Sequence, residues 1–116
     1  MSDRDLLELA AKAAGILGEY VTNYYGDSYY QGNTKGILYK LQNGKLYVWN
    51  PLIDAGDALR LAVDLGIDIQ QFKTSRTVEA WTYGIDILSE DYCNDPYAAT
   101  RRAIVRAAAE IGKEMK

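Results

Sequence analysis

The sequence predicts an α+β fold, a small αβα sandwich in which three helices pack on a roughly four-stranded, mainly antiparallel sheet. Three observations carry this expectation. Three segments space apolar residues at helical intervals, and each opens at a Ser or Asp suited to capping a helix N-terminus. Between the first and second lie two β-rich runs joined by Asn43-Gly44, a strong short-range hairpin signal. Between the second and third lie two more short runs of strand character. With 116 residues, 48% hydrophobic and 25% charged, the chain reads as one globular domain spanning 1–116.

In the first helix, Ser2 is the N-cap and Asp5 stands where a capping box places its acid. Leu6, Leu9, Ala13, Ile16 and Leu17 recur at helical spacing, so the helix is expected from Asp3 to about Leu17, weakening at Gly15 and Gly18, with a resumption through Glu19–Val21 as an option. Residues 20–33 mix five tyrosines with Asn, Gly, Asp and Ser, which is turn chemistry loaded with aromatic rings.

Gly36–Gln42 and Lys45–Trp49 then flank Asn43-Gly44. Read as a type I′ turn, this pair sets Leu41 opposite Leu46, Tyr39 opposite Val48, Lys40 opposite Tyr47 and Leu38 opposite Trp49. Both faces then carry apolar side chains and require cover, by helices or by a second subunit. Asp54 caps the second helix with Asp57 at its N3 position. Ala58, Leu59, Leu61, Ala62 and Leu65 form its buried face, and Gly66 ends it. Asp68 to Lys73 is a third strand and Thr74–Arg76 a turn. Trp81, Tyr83, Ile85 and Ile87 alternate with Thr82, Gly84 and Asp86 as a half-buried fourth strand. Asp95 caps the third helix, with Pro96 in its first position. Tyr97, Arg101, Ile104, Ala108, Ile111 and Met115 trace one face, and Arg106 with Glu110 makes a surface i,i+4 pair.

Absences bound the chemistry. Histidine is missing, which removes the usual proton shuttle near neutral pH and the commonest transition-metal ligand. A single cysteine, Cys93, excludes an internal disulfide and a thiolate cage. A net charge of −3 offers no general attraction for long nucleic acid. No apolar run approaches the ~18 residues of a membrane span. The acidic start Met1-Ser2-Asp3-Arg4-Asp5 is no secretory signal, so a cytoplasmic location away from membranes is expected.

Two segments are distinctive: Trp49-Asn50-Pro51-Leu52-Ile53-Asp54-Ala55-Gly56-Asp57 with its helical continuation to Gly66, and Asp95-Pro96-Tyr97-Ala98-Ala99-Thr100-Arg101-Arg102 with its continuation to Gly112. Together with Leu6-Leu7-Glu8-Leu9-Ala10-Ala11-Lys12-Ala13-Ala14-Gly15-Ile16, they resemble small bacteriophage and prophage accessory proteins, similar to the phage αβα-sandwich domain group. The resemblance covers about half the chain and leaves out the tyrosine loop and the stretch from Ile67 to Cys93. It transfers no catalytic residue. It implies a phage gene product acting inside a bacterium.

Four groups of residues are candidates for chemistry. Tyr24, Tyr25, Tyr29 and Tyr30 offer stacking faces and hydroxyls in a Ser/Gly/Asn-rich loop, as adaptable recognition surfaces do; equally, the rings can pack over the sheet. Trp49 and Asn50 can stack on and read a base, or can serve as a packed strand-to-helix connection, the reading that accounts for every residue there. Tyr97, Thr100 and Arg101, with Arg102, sit in the first turns of the third helix, where a phosphate finds both guanidinium and helix N-terminus. A salt bridge from Arg101 to Asp95, Asp91 or Glu90 is the competing reading, and the acidic neighbours favour it. The carboxylates Asp54, Asp57, Asp86, Glu90, Asp91 and Asp95 could hold magnesium by pairs, but they match no named metal-loop spacing, and capping roles and solvated faces account for most of them. Cys93 has no histidine to activate it.

Phenols, amides and a few guanidinium groups equip a protein to grip rather than to transform. The expectation is therefore a non-enzymatic protein with no catalytic residues, metal or cofactor. Read with the phage resemblance, it sequesters a small phosphorylated, nucleotide-derived immune signal, a cyclic oligonucleotide or an ADP-ribose derivative, and works as a homo-oligomer. The alternatives are a protein-binding inhibitor or adaptor of a host defence complex and a metal-dependent nucleotide hydrolase.

Overall fold

Capping chemistry decides where each helix starts and stops. In the computed structural model, which describes residues 1–26, 30 and 32–115, helix α1 spans Asp3–Ala14. The Ser2 hydroxyl accepts from the Asp5 N–H at 3.1 Å, and the Ser2 N–H donates to the Asp5 carboxylate at 3.3 Å. The helix ends at Ala14 rather than near Leu17, because Gly15 turns left-handed (φ 73°) and gives its N–H to the carbonyls of Ala11 and Lys12. Glu19–Val21 is strand β1, not a resumed helix, and pairs antiparallel with β2, Gly36–Lys40. Next come β3 (Leu46–Trp49), α2 (Ala55–Leu65), β4 (Asp68–Phe72), β5 (Thr77–Trp81), β6 (Leu88–Asp91) and α3 (Pro96–Glu114). Asp54 caps α2 and Gly66 closes it with φ 66°, while Asp95 caps α3 with Pro96 in its first turn.

The fold is α+β, but the strands make two three-stranded antiparallel sheets, β1-β2-β3 and β4-β5-β6, rather than one four-stranded sheet. Two strands account for the difference. β1 extends the first hairpin. β5 lies earlier than the alternation at Trp81–Ile87 implied, because Val78 and Ala80 are the residues buried against the helices. Residues 82–87 connect β5 to β6, with Gly84 left-handed (φ 89°) and the Tyr83 ring in open solvent.

The β2–β3 register also differs by one. Leu38 opposes Val48, Tyr39 opposes Tyr47 and Ile37 opposes Trp49. The loop holds three residues, not two. The Gly44 N–H reaches the Leu41 carbonyl at 2.9 Å, Leu41 pairs with Lys45, and Gly44 alone is left-handed (φ 86°). This is a type I turn followed by a glycine bulge, a geometry that Asn-Gly serves as well as type I′. The slip matters, because a one-residue shift reassigns which side chains share a face. It gathers Ile37, Tyr39, Tyr47 and Trp49 on one side, with Tyr39 and Tyr47 edge to face at 6.1 Å.

Helix α3 is the hub. It packs on α1, on α2 and on strands β5 and β6. Contact from several directions buries Ala99, Ala103, Ile104, Val105, Ala107, Ala108, Ala109 and Gly112 rather than the single stripe that Tyr97 was expected to begin. A Cβ at Gly112 would lie 2.1 Å from the Leu9 carbonyl oxygen, so α1 and α3 cross at closest approach there. Arg106 bonds the Ser89 carbonyl at 3.1 Å and pairs with Glu90 on β6, while Glu110 pairs with Lys113, replacing the expected Arg106–Glu110 pair. Leu59, expected in the core, points outward from α2. Among the described residues no helix is long and apolar enough to cross a membrane.

Candidate binding site

The start of α3 is built outward from its cap. One Asp95 carboxylate oxygen accepts from the N–H groups of Tyr97 (3.0 Å) and Ala98 (3.1 Å). This fixes the first turn and leaves the Tyr97 ring 77% exposed. One turn on, the Thr100 hydroxyl donates to the Pro96 carbonyl at 2.8 Å and accepts from the Gln71 side-chain amide at 2.9 Å. The Gln71 amide oxygen in turn accepts from the Tyr92 hydroxyl. A chain of three side chains thus ties β4, the turn before α3 and α3 itself together. The Arg76 guanidinium lies 5.9 Å from the centre of the Tyr92 ring.

Gln71, Asp95, Tyr97 and Thr100 line a groove of about 630 Å³, with Leu59, Ile69 and Ile104 on its apolar side and Arg101 beside Tyr97 and Thr100 on its polar side. An adjoining hollow of about 480 Å³ shares Gln71, Tyr97 and Thr100 and adds Lys73 and Arg76. Arg101 donates its Nε–H to the Leu52 carbonyl at 2.9 Å. Among the described residues no carboxylate comes within ion-pair distance of it, so the expected salt bridge to Asp95, Asp91 or Glu90 is not made. Three cations and one carboxylate, Asp95, therefore face the combined groove.

The other residues singled out in the sequence lie elsewhere. Asn50 is buried out of reach of a ligand, with one amide N–H donating to the Lys35 carbonyl at 2.8 Å and its amide oxygen accepting from Leu52 N–H at 3.0 Å. No base-reading edge is exposed, and the residue holds the connection into α2. Trp49 is buried and lines a separate cleft of about 410 Å³ with Tyr39, Tyr47 and Arg60. Tyr30 braces β3: its hydroxyl donates to the Asn33 carbonyl and accepts from Val48 N–H, both at 2.9 Å, and Tyr24 packs edge-on against its ring at 5.2 Å. Tyr25 is exposed. Tyr29 lies outside the described residues.

Under that second cleft sits Asp57, which the sequence offered as an N3 acid and as one of six scattered carboxylates, not as a buried hub. The Asp57 side chain is buried and accepts four hydrogen bonds, from the Tyr47 hydroxyl (2.7 Å), an Arg60 Nη2 (2.9 Å), the Asn50 backbone N–H (2.9 Å) and the Asn33 amide (3.2 Å). Its spacing gave a signal: Asp57 falls four residues before Leu61 and eight before Leu65, on the buried stripe of α2. Burial, reinforced by the hydrogen bond to Asp57, pushes the Tyr47 phenol well above its ordinary pKa. The same hydrogen bond holds Arg60 more firmly in its charged form. Gln71, Lys73, Arg76 and Tyr92 were also missed, because only the β4–β5 pairing brings them to α3.

No family model matches the chain, nor does any curated protein or solved structure.

Proposed function

We propose that the chain is a non-enzymatic binding protein that holds a small phosphorylated, nucleotide-derived ligand in the groove at the start of α3. The phage resemblance of its sequence segments makes the ligand an immune signal, a cyclic oligonucleotide or an ADP-ribose derivative, and the protein a sponge that withdraws it. One observation carries the reading. Arg101 faces the groove without a carboxylate partner among the described residues, beside an exposed Tyr97 ring and a hollow holding Lys73 and Arg76. A guanidinium with free donors suits a phosphate, and a phenol face suits a purine. The apolar Leu59–Ile69–Ile104 side supplies contact area for a base or ribose.

The test is a thermal-shift screen against cyclic dinucleotides, cyclic trinucleotides and ADP-ribose derivatives. A true ligand at a hundredfold excess over Kd adds about 2.7 kcal/mol, or roughly 10 °C in Tm for a domain of this size. It returns chemically unchanged when the protein is denatured. Arg101→Ala weakens its binding by about tenfold or more, the scale of a lost charge-assisted bond. A cleaved product refutes the non-enzymatic reading. Wild-type affinity retained in both Arg101→Ala and Tyr97→Phe refutes the site.

A further inference from the structure

We infer that strand β4 is the interface through which two copies of this chain pair, edge to edge and antiparallel, into one six-stranded sheet. The argument is a comparison of the sheet edges. An unpaired strand edge is a template for another strand, and proteins guard it with charge, shortness, bulges or side-chain caps. Three of the four edges here are guarded. β1 has only three residues. β3 is capped by side chains, because Val48 N–H donates to the Tyr30 hydroxyl and the Val48 carbonyl accepts from the Asn33 amide, both at 2.9 Å. β6 carries Glu90 and Asp91, and Arg106 reaches its Ser89 carbonyl.

Among the described residues β4 is the least guarded edge, with one charge, Asp68, at its start. It runs five residues in unbroken register with β5, every one of them exposed, and Ile69-Gln70-Gln71-Phe72 contains neither charge nor proline. Side-chain contacts to its carbonyls are long and solvent-exposed: Gln70 to Gln71 at 3.4 Å and Ser75 to Phe72 at 3.5 Å. Near this edge α2 presents Leu59, 64% exposed. Leu59 and Ile69 line the same groove.

A second copy of the chain fits this edge by charge and by symmetry. Asp68 begins β4 and Lys73 follows its end, so antiparallel self-pairing brings the acidic end of one strand beside the basic end of the other. Opposed residues in a ladder must share a face, and a two-fold axis therefore passes through a residue facing its own copy. Pairing about Gln70, the centre, uses all five positions and sets Ile69 opposite Gln71 of the partner subunit. That axis keeps both α2 helices on the same side of the joined sheet, each with Leu59 in the groove that Ile69 lines. Their contribution is needed, since a five-residue ladder alone falls short of the ~1,200 Å² typical of a stable interface. The inference does not depend on the identity of any ligand, because its readout is mass.

Sedimentation equilibrium of the purified chain tests it. The wild type is expected to sediment as a dimer. Gln70→Lys and Gln70→Glu each place like charges directly opposite across the axis and raise the dimer Kd by about tenfold or more. The fold of Gln70→Lys is preserved, since Glu79 opposes that position on β5, and a circular dichroism spectrum matching wild type verifies it. An equimolar mixture of the two variants restores a dimer of wild-type affinity. A monomeric wild type overturns the inference and leaves the edge to a different partner. So do charged variants that dimerise as tightly as wild type, or a mixture that fails to recover.

Discussion

Removing the Asp57 carboxylate is the sharpest test of what holds the β3–α2 junction together. Four donors converge on this one buried group, and they differ in what happens when it goes. The Asn50 N–H is buried and has nowhere else to turn, so it retains the full penalty of an unmade hydrogen bond, about 1–3 kcal/mol. The Tyr47 hydroxyl and the Asn33 amide lose a charged acceptor but border a cleft or a second acceptor, for about 1 kcal/mol each. Arg60 is 66% exposed along its side chain and returns to water at almost no loss. Asp57→Ala should therefore destabilise the fold by about 4 kcal/mol, a large part of the 5–15 kcal/mol typical of a whole domain. Asp57→Asn, which keeps one acceptor, should lose about 2 kcal/mol, and Arg60→Ala no more than about 1 kcal/mol. Urea unfolding followed by the fluorescence of Trp49 and Trp81 measures all three. Equal losses in Arg60→Ala and Asp57→Ala would mean that the ion pair, not the buried hydrogen bonds, carries the junction. A loss below about 1 kcal/mol in Asp57→Ala would mean that neither does.

Two further outcomes follow from packing and from titration. Gly112→Ala should lower stability by about 2 kcal/mol, although alanine is favoured over glycine by about 1 kcal/mol in a free helix, because the new methyl meets the Leu9 carbonyl oxygen at 2.1 Å; thermal unfolding shows the sign. Burial holds the Tyr30, Tyr39 and Tyr47 phenols above their ordinary pKa in the folded chain, so their stabilisation is intact below pH ~10. Above that the unfolded chain loses phenol protons first, and stability falls by up to about 1.4 kcal/mol per pH unit for each tyrosine still protonated in the fold. Urea titrations above pH ~10 should show this slope, shallower in Tyr47→Phe; an unchanged slope in that variant would remove Tyr47 from the effect.

What the sequence made legible was local. Ser2 with Asp5, Asp54 with Gly66, and Asp95 with Pro96 each act within four residues of themselves or mark a single helix end, and so each is readable from neighbours alone. Pairing is a different kind of fact. Asn43-Gly44 is compatible with a two-residue and a three-residue loop, and the choice rests on whether Tyr39 meets Val48 or Tyr47 across the ladder. Trp81 to Ile87 alternates as a strand does, yet Val78 and Ala80 fit beneath α3, and β5 therefore lies earlier in the chain. The site divides along the same line. Tyr97, Thr100 and Arg101 share a groove because they share a helix turn. Gln71, Lys73, Arg76 and Tyr92 join them only through β4–β5–β6 pairing, which has no local signature.

The way α3 is capped bears on how the groove would hold an anion. A helix N-terminus ordinarily attracts phosphate through its free N–H groups, but here Asp95 already occupies those of Tyr97 and Ala98 and places a negative charge in the groove lining. Attraction must then come from Arg101, Lys73 and Arg76, working against Asp95. Replacing that charge without losing the cap separates the two effects. Asn caps a helix about as well as Asp, so Asp95→Asn should leave stability within about 1 kcal/mol of wild type. Meanwhile it removes a repulsion that, for a unit charge about 8 Å away, amounts to roughly 0.5–2 kcal/mol between aqueous and surface-like dielectric. Calorimetric titration with a nucleotide that passes the thermal-shift screen should show affinity rising by roughly twofold to thirtyfold. The gain should shrink in high salt, where exposed charges are screened. Unchanged or weaker binding in Asp95→Asn would place the phosphate away from the first turn of α3 and would remove Arg101 from the site.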